Sequence, residues 1–177
     1  MAWTLVQSFK YTHKMNYIHI PIYQDQPRNQ DSLQWEDYRL SRSRMDGIHK
    51  DSNSKWRFTC NFDKDGLLHT DYVIATHADI PILFLPSNHE ACHKFEFIDI
   101  RGNNCTNCKV WTAQRDNWSF HIDSYHTNGK CKTNTFPDSI SCNENGEDNF
   151  GFYVCVNPKH RCSSTNESTT ELWFGGQ

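Results

Sequence analysis

The chain contains 177 residues, with a formal net charge of -3, a mean hydropathy of -0.80 and an aromatic fraction of 14%. This charge gives no positive field that would attract nucleic acid or anionic membranes. No apolar run approaches the roughly 18 residues that a membrane-spanning helix needs. We therefore expect a single domain with an aromatic-rich core, no nucleic-acid partner and no membrane span.

The first third of the chain predicts two strands and one helix. Residues 2–11 and 16–23 show strand-like alternation, and Pro21 would place the second strand at a sheet edge. Residues 31–45 favour a helix, because Asp31 or Ser32 can cap it and arginines cluster near its end. Gly47 would stop this helix.

A hairpin is the strongest structural signal in the sequence. Residues 55–62 alternate, and they place four side chains on one face: Trp56, Phe58, Cys60 and Phe62. Asp65-Gly66 predicts a tight turn, and residues 67–76 would form the return strand. We expect Trp56 and Phe58 to lie in the core under a helix, with Cys60 bridged to a later cysteine.

The remaining elements are predicted to complete an antiparallel sheet. Residues 80–85 read as a buried strand or turn, and Asn88 can cap a short helix that gives way to a strand at 94–101. Residues 108–114 and 118–126 predict a second hairpin, and residues 150–157 a last strand pinned by Cys155. The predicted fold class is α+β, with one or two helices covering one face of the sheet. The domain would span residues 1–162, and the polar residues that follow predict a flexible tail at 163–177.

The cysteine content indicates an oxidising compartment. The chain has an even number of cysteines, whose pairing the sequence leaves open: Cys60, Cys92, Cys105, Cys108, Cys131, Cys142, Cys155 and Cys162. Three sequons, at Asn104, Asn117 and Asn166, are compatible with secretion. The first residues do not read as a signal peptide, so we expect one that has been removed. A cytosolic protein with reduced thiols is the alternative.

One segment matches a zinc-hydrolase motif. On a helix, His89-Glu90-Ala91-Cys92-His93 would place two imidazoles on one side, with Glu90 as general base. However, Lys94 follows at once and no third histidine extends the motif. A capped surface helix stapled through Cys92 is the favoured interpretation. We expect no metal, no cofactor and no catalytic residues, with zinc metallopeptidase as the alternative.

Three further clusters have structural interpretations beside functional ones. The Cys105-Thr-Asn-Cys108 spacing suits a redox pair, but a strand follows it, which favours two structural disulfides leaving one loop. An extracellular ribonuclease-like site would use His121 and His126, for which solvent-facing hairpin residues are the simpler explanation. A basic cluster could meet phosphates, but it is interleaved with acids and reads as a solvated helix face: Arg39, Arg42, Arg44 and Lys50.

The segment Trp56-Arg57-Phe58 resembles the signature of the LARS family of secreted fungal effectors. The resemblance covers this tripeptide, the overall size and the eight cysteines, whereas Thr59 stands where the family favours a basic residue. It implies a disulfide-stabilised sheet with helices and no enzymatic activity. It also implies a host-protein partner, with recognition by plant immune receptors or suppression of that recognition. We expect a monomer that acts in the host apoplast or inside host cells.

Overall fold

The computed structural model describes residues 2–49, 51, 53–84, 89–122, 131 and 150–176. Its strands, in chain order, are β1 (Trp3–Lys10), β2 (Asp37–Arg39), β3 (Lys55–Cys60), β4 (Tyr72–Thr76), β5 (His89–Ile100), β6 (Asn103–Arg115), β7 (Trp118–Ile122) and β8 (Thr169–Gly175). Short helices lie between them: α1 (Arg42–Ile48), α2 (Phe62–Asp65) and 3₁₀ helices at Tyr11–Asn16 and Arg161–Ser163.

These eight strands form one antiparallel sheet that curls into a half-barrel. The order across the sheet is β2-β1-β8-β3-β4-β5-β6-β7, so the last strand in the sequence lies between the first strand and the central hairpin. The inner face carries the core, whose largest buried side chains include Phe9, Trp56, Phe58, Phe95, Phe120, Phe150 and Phe174.

The predicted α+β class is wrong, because helices do not cover the sheet in the described part of the chain. Aromatic side chains and loops fill the curled inner face instead. Trp56, for example, meets Phe95 and Phe120 edge to face, with ring centroids 5.9 and 5.2 Å apart. Large rings fill this space at a geometry that aromatic pairs prefer.

Most of the helix predicted at 31–45 is also wrong. Strand β2 lies inside that range and pairs with β1, and α1 begins only at Arg42, after the Ser41 cap. The Arg39 side chain explains the strand, since its buried guanidinium donates to the carbonyls of Pro21, Ile22 and Gln24. These bonds tie β2, at the edge of the sheet, to the segment 21–24. Burial lowers the pKa of Arg39 to about 10.

The strand at 2–11 is confirmed as β1, whereas residues 16–23 do not form the predicted strand. They follow a 3₁₀ helix as a series of turns that bury Tyr17, Ile18 and Ile22. The Tyr17 hydroxyl donates to Asp37 Oδ1 across 2.5 Å, and this bond anchors the segment to β2. The alternation of residues 16–23 thus belongs to a series of buried turns and not to a strand.

The central hairpin is confirmed, since β3 and β4 pair in antiparallel register from Lys55↔Thr76 to Phe58↔Val73. Its connection is longer than predicted. It begins with the single-turn helix α2, which ends at Gly66 with φ of 64°. Trp56, Phe58 and Cys60 are buried on the inner face as predicted, but Phe62 lies outside that row. The helix expected to cover Trp56 and Phe58 is wrong, because no described helix covers the sheet.

The middle of the chain is partly as predicted. Ile80, Ile82 and Leu83 form a buried turn, and the second hairpin is confirmed by pairing of β6 with β7. The expected helix near Asn88 is wrong where the structure describes it, because β5 already begins at His89. This strand pairs with β6 along eleven registered positions, from His89↔Gln114 to Ile100↔Asn103. The predicted strand 118–126 is described only as far as Ile122, and its last four positions lie outside the described residues.

The C-terminal predictions fail in two places. Residues 150–157 form turns and not a strand, although Phe150 and Tyr153 are in the core. The tail predicted to be flexible at 163–177 contains β8, in which Leu172 and Phe174 are buried. Those two residues give the segment an apolar inner face, and its threonines suit a strand.

Candidate functional site: the Arg57 surface

Strand alternation divides the Trp56-Arg57-Phe58 segment between the two faces of the sheet. Trp56 and Phe58 are fully buried inside, where the Trp56 indole Nε1 donates to the Ile80 carbonyl at 3.0 Å. Arg57 points to the outer face, where it meets a different set of rings. The tripeptide therefore joins the core to the outer surface.

Aromatic rings enclose the Arg57 guanidinium. Its carbon atom lies 4.3 Å from the ring centre of Trp3, 5.3 Å from that of Trp173 and 5.8 Å from that of Phe62. These distances are within the range of cation–π attraction. Arg57 is only 6% exposed, and this burial lowers the pKa of its guanidinium, while Tyr72 opposes the shift. Arg57 Nε has no hydrogen-bond partner among the described residues.

Apolar side chains extend this cluster across the outer face. The strand registers place Leu5 opposite Trp173, Trp173 opposite Arg57, Arg57 opposite Ile74 and Ile74 opposite Phe97. We define the Arg57 surface as this row with the adjoining rings: Trp3, Leu5, Trp35, Arg57, Phe62, Ile74, Phe97 and Trp173. Leu5, Ile74, Phe97, Trp3, Trp35 and Phe62 are half-buried, so part of each reaches solvent.

A buried carboxyl group supports the Trp173 end of this surface. Trp173 Nε1 donates to the Thr59 hydroxyl at 2.8 Å, and that hydroxyl donates to Glu171 Oε2 at 2.7 Å. The Thr169 hydroxyl donates to Glu171 Oε1 at 2.5 Å, and the Phe62 backbone N–H to Oε2 at 3.4 Å. This chain of bonds fixes the indole orientation.

Burial raises the pKa of Glu171 to about 7, against the hydrogen bonds that favour its ionised form. The carboxylate of Asp63 acts in the same direction as burial. Glu171 has no exposed surface. It can change charge near neutral pH, but a solute cannot reach it, so its role is to position neighbouring side chains.

Glu171 and Trp173 were missed by the sequence prediction, because it assigned their segment to a flexible tail. Residues 169–175 read Thr-Thr-Glu-Leu-Trp-Phe-Gly, in which Leu172 and Phe174 alternate with Glu171 and Trp173. That alternation indicates a strand with one apolar face. The polar residues before it suggested a tail instead.

The zinc motif has the wrong geometry for its proposed chemistry. His89 to His93 lies in β5, where positions four apart are separated by about 13 Å along the strand. Glu90 forms an ion pair with Arg115, the His93 ring meets the Thr112 hydroxyl at 2.6 Å, and Cys92 is bonded to Cys131. The helical arrangement that the metallopeptidase alternative required is therefore wrong. The described residues contain no group of three metal-ligating side chains.

The ribonuclease-like pair is only half described. His121 is 3% exposed and its Nδ1 meets the Ser119 carbonyl at 3.0 Å, so the prediction that it faces solvent is wrong. His126 lies outside the described residues. The basic cluster is dispersed: Arg39 is buried, while Arg42 pairs with Asp46. Arg44 pairs with Asp31, and Lys50 is outside the described residues.

Three disulfides join described cysteines: Cys60–Cys162, Cys92–Cys131 and Cys105–Cys108. The bridge from Cys60 to a later cysteine is confirmed. The expectation that Cys105 and Cys108 belong to two different bridges is wrong, because the two are bonded to each other. Asn107, between them, has a positive φ of 51° and lies where the ladder between β5 and β6 skips one position. Cys155 is also disulfide-bonded, and Cys142 lies outside the described residues.

Comparison of this chain with protein-family models, curated proteins and solved structures finds no match. None of the helices that the structure describes is long and apolar enough to cross a membrane. The disulfides are compatible with an extracellular protein.

Proposed function

We propose that this protein is a secreted effector that acts by binding a host protein, and that the Arg57 surface makes the contact. The observation that carries the proposal is a contiguous row of half-buried apolar side chains around the buried pair of Arg57 and Trp173, whose guanidinium and ring lie 5.3 Å apart. Tryptophan, tyrosine and arginine dominate the energetically important centres of protein interfaces. Isolated apolar residues are common on surfaces, but a contiguous patch indicates an interaction site.

The resemblance of Trp56-Arg57-Phe58 to LARS effectors supplies the biological setting of the proposal. In that setting the source is a plant-pathogenic fungus. The partner is a plant immune receptor or the host protein whose recognition the effector suppresses. In this chain Trp56 and Phe58 act as core residues, whereas Arg57 belongs to the candidate contact surface.

Binding is favoured over catalysis because two candidate acid–base groups are inaccessible to a substrate. Glu171, whose pKa is raised to about 7, and His121, the histidine of the ribonuclease-like alternative, are both buried and hydrogen-bonded. A general acid or base must reach a proton of its substrate. The Arg57 surface, by contrast, has side chains that a protein partner can cover.

The proposal is tested with oxidised protein infiltrated into leaves of a panel of host genotypes. The variants Trp3→Ala and Phe97→Ala truncate the Arg57 surface, while Met15→Ala removes an exposed side chain outside it. We expect at least one genotype to respond to the wild type and to the Met15 variant. The surface variants should lose this response, and their affinity for the responding receptor should fall about thirty-fold, the equivalent of about 2 kcal/mol.

Two results would contradict the proposal. One is the absence of a response in every genotype, and the other is an equal response to all variants. Circular dichroism and intact mass would first establish that each variant has the wild-type fold and disulfide content.

A further inference from the structure

We propose that Asn117 and Asn166 are N-glycosylation acceptors and that Asn104 is not. The proposal rests on the proposed secretion, because oligosaccharide transfer takes place in the secretory pathway. Each asparagine begins an Asn-X-Ser/Thr sequence: Asn104-Cys-Thr, Asn117-Trp-Ser and Asn166-Glu-Ser. The three differ in their structural surroundings.

Asn117 lies at the tip of the hairpin between β6 and β7, with Asp116 beside it. Both residues are exposed. The backbone carbonyl of Asn117 accepts from His19 Nδ1 at 3.1 Å, while its side-chain amide has no hydrogen bond to a described residue. A glycan on this amide would project from the end of the hairpin without displacing a native contact.

Asn166 lies at the tip of a small turn before β8. The Ser168 backbone N–H donates to the Thr165 carbonyl at 3.2 Å, and the Thr165 N–H donates to the Ser168 hydroxyl at 3.0 Å. These bonds close the turn beneath Asn166, whose side chain is exposed and makes no hydrogen bond to a described residue. Bulky hydrophilic glycans are suited to such surface turns.

Asn104 has a different environment, although it is exposed. It lies within β6, opposite Asp99, in the long ladder that joins β5 to β6. The next residue, Cys105, is bonded to Cys108 in a ring of four residues. The ring encloses Cys105 and Thr106, the second and third residues of this sequon, whereas the other two sequons contain no cysteine. A transferase needs a segment that it can bind and reshape, and the disulfide ring prevents this at Asn104.

The transfer joins each acceptor to a lipid-pyrophosphate-linked oligosaccharide. Asparagine Nδ2 attacks C1 of the first sugar, so that an N–C bond forms and the bond from C1 to the pyrophosphate oxygen breaks. The lipid pyrophosphate leaves, and one amide proton passes to a base of the transferase. No oxidation or reduction takes place.

The test imposes export, so that it does not depend on whether the protein is natively secreted. The full chain is fused to a cleavable signal peptide and expressed in a secreting eukaryotic cell. Intact mass is measured before and after treatment with peptide N-glycosidase. The variants are Asn117→Gln, Asn166→Gln and, as the matched control, Asn104→Gln. Circular dichroism establishes that each variant is folded.

We expect two glycans on the wild type and on the Asn104 variant, and one on each of the other two variants. Deglycosylation should convert Asn117 and Asn166 to aspartate in peptide maps. An unmodified exported protein would overturn the proposal, as would a glycan at Asn104. Occupancy of only one predicted acceptor would overturn the assignment of the other. Failure of the effector proposal would appear separately, as the absence of a response in host leaves.

Discussion

Replacement of Glu171 by glutamine should remove a pH dependence from the stability of the fold. Glu171 is buried on the outer face, and its pKa is raised to about 7 from an ordinary value of 4.5. Between those two pH values the folded chain holds a proton that the unfolded chain has released. The contribution of Glu171 to stability therefore falls as pH rises from about 4.5 to about 7, and does not change further above that range.

The size of the effect follows from the two pKa values. A difference between about 7 in the folded chain and 4.5 in the unfolded chain corresponds to about 3 kcal/mol. Glutamine has the shape of the protonated acid and carries no charge at any pH. The free energy of unfolding of Glu171→Gln, relative to wild type, should therefore increase by about 3 kcal/mol between pH 4 and pH 8.

Urea denaturation at pH values from 4 to 8.5, followed by tryptophan fluorescence, measures this difference. Titrating groups that do not interact with Glu171 contribute equally to both proteins and cancel in the comparison. The matched control is Glu167→Gln, because Glu167 is exposed and pairs with Lys10 at 2.5 Å, which lowers the pKa of its carboxyl. Parallel stability profiles for wild type and Glu171→Gln would refute the reasoning.

Two further predictions concern stability. Replacing Cys105 and Cys108 by serine should cost about 2 kcal/mol, whereas the same change at Cys60 and Cys162 should cost about 4 to 5 kcal/mol. The reason is that the bridges span 3 and 102 positions of sequence; denaturation of both double variants measures the difference, and equal costs would contradict it. His77 is buried with its pKa lowered to about 3, so its folded state excludes a proton and stability falls as pH drops below about 6.5. His77→Phe should lose this part of the acid sensitivity in a denaturation series from pH 7 to 3, and an unchanged acid profile would disprove the assignment.

The sequence was most informative where two stretches of strand-like alternation flanked a short polar turn. Both hairpins followed from alternation around short polar turns, and the burial of Trp56 and Phe58 followed from the same pattern. Their neighbour Arg57 could be assigned to the opposite face by alternation alone. The sequence did not reveal the rings that surround it, because Trp3 and Trp173 lie at opposite ends of the chain.

The failures share a physical cause. Helix caps and charge order predicted a helix at 31–45, but those local preferences are worth about 1 kcal/mol each. The tertiary contacts of Arg39 and the pairing of β2 with β1 outweigh them. Similarly, β8 was missed because its neighbours in the sheet are far away in sequence. The polar composition that begins at Ser163 suggested a flexible tail, but local composition carries no information about such distant pairing.

The position of β8 has a consequence for how the protein is made. Its neighbours β1 and β3 are both synthesised long before it, and in the sheet each of them pairs with β8. Until residue 175 leaves the ribosome, the sheet cannot be completed between β1 and β3. The final strand closes that gap, and folding through such distant contacts is slow and exposes the chain to aggregation. A chaperone that shields the free edges of β1 and β3 would act at this stage, before the first productive contact between the two halves.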